Sequence, residues 1–313
     1  MQIPFFDSIA CAQRVLLAGV GGGFDLASGI PIYLYLKDQG KEVVLANLSF
    51  TQLSSTEAEE VFPGTYRVGP EPSATPYFPE KFIHDWLCSR QHAPKVYAFV
   101  DDMGVQPLRQ AYRHLIEQYR IDTLVLVDGG TDSLMFGDEV GVGTIVEDSV
   151  SILAASGAGV ENAFLIATGF GVELHHKLDH FNCLENMAQL TREQAYLGAI
   201  SLTPDMRYGA DYMDLVSFMN SRLPEEASIV ANSIVSAMRG AFGDFHFSPR
   251  TKGTEQFVSP LMGLFWFYKL HPIAQHIRYR NAIEDTQTMD QVASAFRKYR
   301  ALNSRRATRK IPL

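Results

Sequence analysis

Three cysteines in 313 residues, no bilayer-length apolar run and a deficit of positive charge mark what this chain does without. Cys11, Cys88 and Cys183 lie far apart with no CxxC spacing, so neither a disulfide framework nor a zinc ribbon is expected, and a reducing cytoplasm is the default setting. The first residues, MQIPFFDSIACAQR, lack the basic and long apolar regions of a signal peptide. The richest late run, LMGLFWFYKL from Leu261, is too short for a membrane span and carries a lysine, so no membrane partner is expected. No GxxxxGK[ST] occurs, which removes a phosphate loop of the ATPase type. With 27 Lys and Arg against 35 Asp and Glu, the net charge of −8 argues against broad nucleic-acid binding. The exception is residues 297–310, RKYRALNSRRATRK, whose seven basic residues leave the remainder of the chain at −15. Such a tail is more often solvated or packed on an acidic surface than a nucleic-acid arm.

What is present is an ordinary globular composition, 46% hydrophobic and 20% charged, with enough length for a large core in one α/β domain or one domain plus a helical cap. Short β-branched and leucine-rich runs at residues 14–20, 43–48, 95–100, 123–127 and 163–167 read as buried parallel strands, and amphipathic helical patterns separate them. The alternation predicts a doubly wound, mostly parallel, Rossmann-like α/β core over residues 1–177. Residues 178–313 read as more helical, either continuous with that core or a lid on it, with late strands expected at FHFSP and LFWFYKL. Residues 51–79, crowded with prolines, read as a long irregular loop in which Tyr66, Arg67 and Tyr77 can line a cleft.

The strand ends carry the chemistry. The first runs into Gly21, Gly22, Gly23 and Asp25, a turn whose amides can face a phosphate or carboxylate, or can simply permit a tight bend. It departs from the dinucleotide fingerprint, because Phe24 stands where the third glycine belongs and the second strand ends at Asn47 and Ser49 without a ribose-holding acid. The helix after the turn is expected to start late, near Gly29 or Ile30, with Pro31 in its first turn. The third strand ends in Asp102, the fifth at Gly169, and the fourth in DGGTDSLMFGDEVGVGTIVEDS, where Asp128, Gly129, Gly130 and Asp132 lead a run of carboxylates. Ligands of open α/β sheets bind at this carboxyl edge.

At GVGGGFD and above all at DGGTDSLMFGDEVGVGTIVEDS the sequence resembles the family known as domain of unknown function 1152. The resemblance implies a Rossmann-like α/β fold and carries no activity, substrate or cofactor with it. DGGTD is also faintly similar to the DGGNE-type turn of D-glutamate cyclase relatives, an analogy of shape alone.

Crowded carboxylates need a cation or hydrogen-bond donors to offset their repulsion. Two readings follow: a hard-metal site suited to Mg²⁺, with Asp128 and Asp132 as ligands and Asp138 and Glu139 assisting, or acids that cap helices and hold loop amides. In HHKLDH, from His175, His176 is the candidate acid or base, and His176 and His180 fall at the i, i+4 spacing of a chelating pair if one helix carries both. Together these features point to an enzyme, a hydrolase or transferase, acting on an anionic or ribosyl, nucleotide-like small molecule. Catalysis is assigned to Asp128, Asp132 and His176. Ligand binding is assigned to Gly21–Gly23, Asp25, Asp102, Gly129, Gly130 and Gly169. A non-catalytic small-molecule sensor fits the same loops, and a homo-oligomer is compatible with either.

Overall fold

The structure is a computed structural model and describes residues 2–311, with the His175 side chain outside that description. Its strands run β1 Arg14–Gly19, β2 Glu42–Ser49, β3 Glu59–Phe62, β4 Thr65–Val68, β5 Lys95–Val100, β6 Thr123–Asp128, β7 Asn162–Thr168, β8 Tyr196–Ser201, β9 Gly243–Asp244, β10 Phe257–Val258 and β11 Leu264–Lys269. The helices are α1 Pro4–Ser8, α2 Asp25–Asp38, α3 Pro79–Ser89, α4 Val105–Tyr119, α5 Ile145–Ser156, α6 His180–Arg192, α7 Arg207–Arg222, α8 Ile229–Met238, α9 Leu270–His276, α10 Arg280–Ile283 and α11 Met289–Leu302.

Nine strands form one sheet in the order β3-β4-β5-β2-β1-β6-β7-β11-β8. The five strands expected from the apolar runs are its parallel centre. Antiparallel strands extend both edges. The second half of the chain therefore completes the sheet through β8 and β11, while β9 and β10 form a separate two-stranded ribbon. On one face α2 and α3 pack with Leu17, Leu45 and Val127, and α7 packs on both helices; on the other α4 and α5 pack with Leu16, Leu124 and Leu165, and α11 packs on α5. Both faces are covered, which is why the central strands read as unbroken apolar runs. Among the described residues no helix is long and apolar enough to cross a membrane.

From β1 the chain moves outward through β2 to β5, then returns across β1 to β6 and β7. The direction reverses between β1 and β6, so the loops leaving their carboxyl ends diverge and open a crevice there.

Three local expectations are corrected. Residues 51–79 contain the β3–β4 hairpin, turned by Pro63 and Gly64, which is in the left-handed region at φ +66°. Its four-residue strands carry Glu59 and Glu60 and give little apolar signal. FHFSP forms no strand, whereas LFWFYK does. Helix α2 begins at Asp25, not near Gly29, and carries Pro31 in its interior. Asp25 anchors this early start by accepting the Gly21 amide at 2.7 Å, and Pro31 costs the ladder one donor. Gly29 lets α2 lie against the sheet, since a Cβ there would stand 3.0 Å from Leu17 Cδ2 and 3.2 Å from Val127 Cγ2. Gly29→Leu is therefore expected to destabilise the protein by about 1–3 kcal/mol through overpacking, read as a lower urea midpoint, and an unchanged midpoint would contradict this seating of α2.

Candidate functional site at the sheet switch point

The turns after β1 and β6 meet in one cleft of ≈ 700 Å³, with Gly21–Gly23 on one side and Asp128, Gly129, Gly130 and Asp132 on its floor. Asp148 from the first turn of α5 and Glu173 from the segment after β7 complete the floor. Each is placed by the end of a different element, so the grouping follows from parallel strands ending side by side.

The glycine turn is tightly built. Gly22 has φ +92°, and a Cβ there would meet the Leu48 carbonyl at 2.8 Å. At Gly21 a Cβ would lie 2.4 Å from Asp148 Oδ1, so only glycine lets that carboxylate reach the turn. Asn47 donates to the Gly23 carbonyl at 2.9 Å and to Glu80 Oε1 at 2.7 Å, and Ser49 donates to Glu80 Oε2 at 3.0 Å. The acid missing from the end of β2 is thus supplied by α3, but fully buried as a brace for the turn.

The turn is not an open anion cradle, which corrects the role expected of Gly21–Gly23. The Gly21 amide donates to Asp25, and the Gly23 amide to the Leu48 carbonyl at 3.1 Å. The Gly22 amide also favours the charged form of Asp25. The Gly129 amide, at 3.3 Å, reaches the other Asp25 oxygen. The protein's own carboxylate occupies the place of a ligand's anionic group.

Three of the floor carboxylates are held by backbone and hydroxyl donors. Asp128 accepts from the Gly130 amide at 2.6 Å and the Ser133 amide at 3.1 Å. Asp132 accepts from the amide and hydroxyl of Thr144, both at 2.7 Å. Glu173 accepts from the amide and hydroxyl of Thr131 at 2.8 and 3.1 Å. Asp128, Asp132 and Asp148 each present one oxygen, all lying within 4.8 Å of one another, and all three are buried. Among the described residues, no ion pair neutralises Asp25, Asp128, Asp132, Asp148 or Glu173.

Burial and mutual repulsion divide the charge unequally. Burial, then the charge of Asp132, pushes Asp128, Asp148 and Glu173 well above the usual carboxylate range. Burial also acts on Asp132, but hydrogen bonds from Glu173, Thr144 and Asp148 outweigh it and hold that carboxyl below its ordinary value. Asp25 rises to about 7 through burial and the charge of Asp132, against the pull of its amide partners. Asp132 is the group that keeps its charge, and its neighbours share protons around it.

The remaining candidates fall in different places. His176 lines the cleft at the end of a short 3₁₀ turn, residues 172–176, while His180 starts α6, so the two do not share a helix and the chelating pair is not formed. Gly169 packs behind the floor, where a Cβ would stand 3.2 Å from the Gly129 carbonyl. Asp102 is exposed at the end of β5, outside the cleft lining.

Asp138 and Glu139 are drawn into a separate network, which corrects their expected part in metal binding. Arg306 donates to Asp138 at 2.9 Å, Glu139 at 2.7 Å and Glu185 at 2.8 Å. The fully buried Glu139 also accepts from the amides of Phe136 and Gly137, each at 2.8 Å. Arg300 donates to the carbonyls of Gly137, Glu139 and Val140. Part of the basic tail is thus packed on the acidic loop and braces it.

Fold and cleft together define a doubly wound α/β protein with an acidic crevice at its topological switch point. The chain belongs to the family described as protein of unknown function DUF1152, whose sequence model matches residues 57–303. The acidic floor lies inside that span and the glycine turn before it. No curated protein and no solved structure matches the chain.

The raised carboxyls make stability fall with pH when divalent cations are chelated. A carboxyl with a folded value above its unfolded one contributes stability below the unfolded value and loses it as pH rises through the folded value. For Asp25 the window runs from 3.8 to about 7, and for Glu80, raised by burial, from 4.5 to about 7. The melting temperature in chelator is expected to decline between pH 5 and pH 8, and a flat or rising profile would contradict this charge distribution.

Proposed function

We propose that the protein is a divalent-cation-dependent enzyme, a hydrolase or transferase, acting on a ribosyl or phosphorylated small molecule at the β1–β6 crevice. The observation that carries the reading is the buried trio Asp128, Asp132 and Asp148, whose oxygens converge within 4.8 Å at the switch between β1 and β6, where the loops diverge. Oxygen-only donors suit Mg²⁺ or Mn²⁺. These three residues would hold the cation, which when bound supplies Lewis-acid polarisation of a phosphoryl or hydroxyl oxygen.

The chain's own groups supply the rest. Asp25, held at about 7 and partly open to the cleft, is poised to exchange a proton near neutral pH. His176 lines the same cleft as a second proton-transfer group. The floor favours hydroxyl donors such as a ribose diol. An anionic end is better placed near Arg250 and the amino end of α8, where Ser228 and Ile229 line the cleft, than on the occupied glycine turn. Strongly shifted carboxyls gathered in a cleft favour catalysis over passive binding. The three free thiols, two of them exposed, support a reducing, cytoplasmic setting. The net negative charge and the docked tail support a small molecule over nucleic acid as partner.

Mn²⁺ titration followed by electron paramagnetic resonance tests the reading. Asp128→Asn is expected to abolish tight binding. Thr144→Val, which removes the hydroxyl donor to Asp132, is expected to weaken binding by about 10- to 100-fold with the fold intact. Protons on Asp128 and Asp148 must leave as the cation enters, so affinity should rise with pH and proton release should accompany binding. Binding unaffected by these substitutions contradicts the site. Cation and ligand binding with no turnover of any ribosyl or phosphoryl substrate favours a sensor instead.

A further inference from the structure

The crevice has two unlike ends. Its floor is carboxylate, while the wall beside the glycine turn is aromatic. Phe50 follows β2 directly and is 49% exposed, although most of the strand before it is buried. Its ring lies against Gly22 and Gly23, where added Cβ atoms would stand 3.2 and 3.3 Å from it. Tyr77 stands beside Gly23, its hydroxyl 3.4 Å from the corresponding Cβ position, and packs edge-on against Phe24 at 5.7 Å. Thr51 fixes this segment by donating to the Tyr77 carbonyl at 2.9 Å.

We propose that Phe50 and Tyr77 form a stacking subsite for a planar heteroaromatic ring, which makes the substrate class of the cleft a nucleoside or nucleotide. The inference rests on the proposed function and narrows it. A half-open phenyl ring inside a polar cleft leaves apolar surface in water that a flat ligand ring would cover. Stacking accepts any base, because each has a π-face. A polar group for the ring's edge stands close by: Glu226 lines the same cleft, and its charge is felt at the Tyr77 hydroxyl. A base seated here would point its ribose past the glycine turn toward Asp25 and the floor, and the cleft volume of ≈ 700 Å³ suits a ligand of that size.

The test compares the four nucleoside 5′-monophosphates with ribose 5-phosphate, each titrated calorimetrically into the full chain in Mg²⁺. At least one nucleotide is expected to bind about tenfold or more tightly than ribose 5-phosphate. Phe50→Ala is expected to weaken that nucleotide by about 5- to 100-fold and leave ribose 5-phosphate unchanged. Phe50→Trp is expected to restore the preference. Mn²⁺ affinity should be the same in all three proteins, which shows that the variants keep the floor. Ribose 5-phosphate binding as tightly as every nucleotide, an equal effect of Phe50→Ala on both ligand types, or no nucleotide binding at all overturns the proposal. A wild-type chain that takes up the cation and shows no preference for a base sinks this inference alone, whereas one that takes up no cation sinks the reading beneath it.

Discussion

Everything at the switch point is governed by electrostatic repulsion among carboxylates held away from water. Asp25, Asp128, Asp132, Asp148 and Glu173 come from four different stretches of chain and converge because β1, β6 and β7 end at the same edge of the sheet. Bringing them together is unfavourable unless protons, amides or a cation offset the charge. The fold supplies the first two: Asp132 holds its charge while the others are driven toward protonation, amides of Gly21 and Gly129 donate to Asp25, and amides of Gly130 and Ser133 donate to Asp128. Such an arrangement is held together at some cost in stability, which is the usual mark of a site kept for its chemistry.

The surrounding structure serves to keep those groups in place. The brace from Glu80 through Asn47 holds the glycine turn from one side. From the other, the carboxyl-terminal tail clamps the loop that carries Asp132 and Thr144, through Arg300 and Arg306. Helix α2 is anchored at its first residue, and Asp25 there serves two ends at once: it starts the helix and fills the turn that a ligand anion would otherwise enter. The cleft is therefore selective by charge. It disfavours a bare anion on its floor and favours a cation, a hydroxyl-rich group, or an anion accompanied by a metal.

Much of this plan is legible in the sequence. The five parallel strands were marked by apolar runs that stop abruptly, and the edge at which Gly22 and Asp128 meet followed from parallel pairing alone. Other features depend on contacts that no local pattern encodes. Nothing near Asp138 or Glu139 in sequence announces Arg306, more than 160 residues away, so acids that look like ligands prove to be the socket of the tail. Glu173 sits outside the acidic loop, and its place on the floor appears only when β7 is laid beside β6; its one sequence signal is its position after the strand-end glycines. The glycine turn looked like an open cradle because sequence shows which amides are unhindered but not which carboxylate fills them. The β3–β4 hairpin was obscured by its charged, four-residue strands, although Pro63 and Gly64 were a visible turn signal.

The central claim is that Asp128, Asp132 and Asp148 together hold one divalent cation. Anomalous diffraction from crystals of the full chain grown in Mn²⁺ addresses it directly. The account predicts a single strong peak among those three side chains, and a peak on the Asp138 and Glu139 side of the loop, or none near the β1–β6 edge, would contradict it.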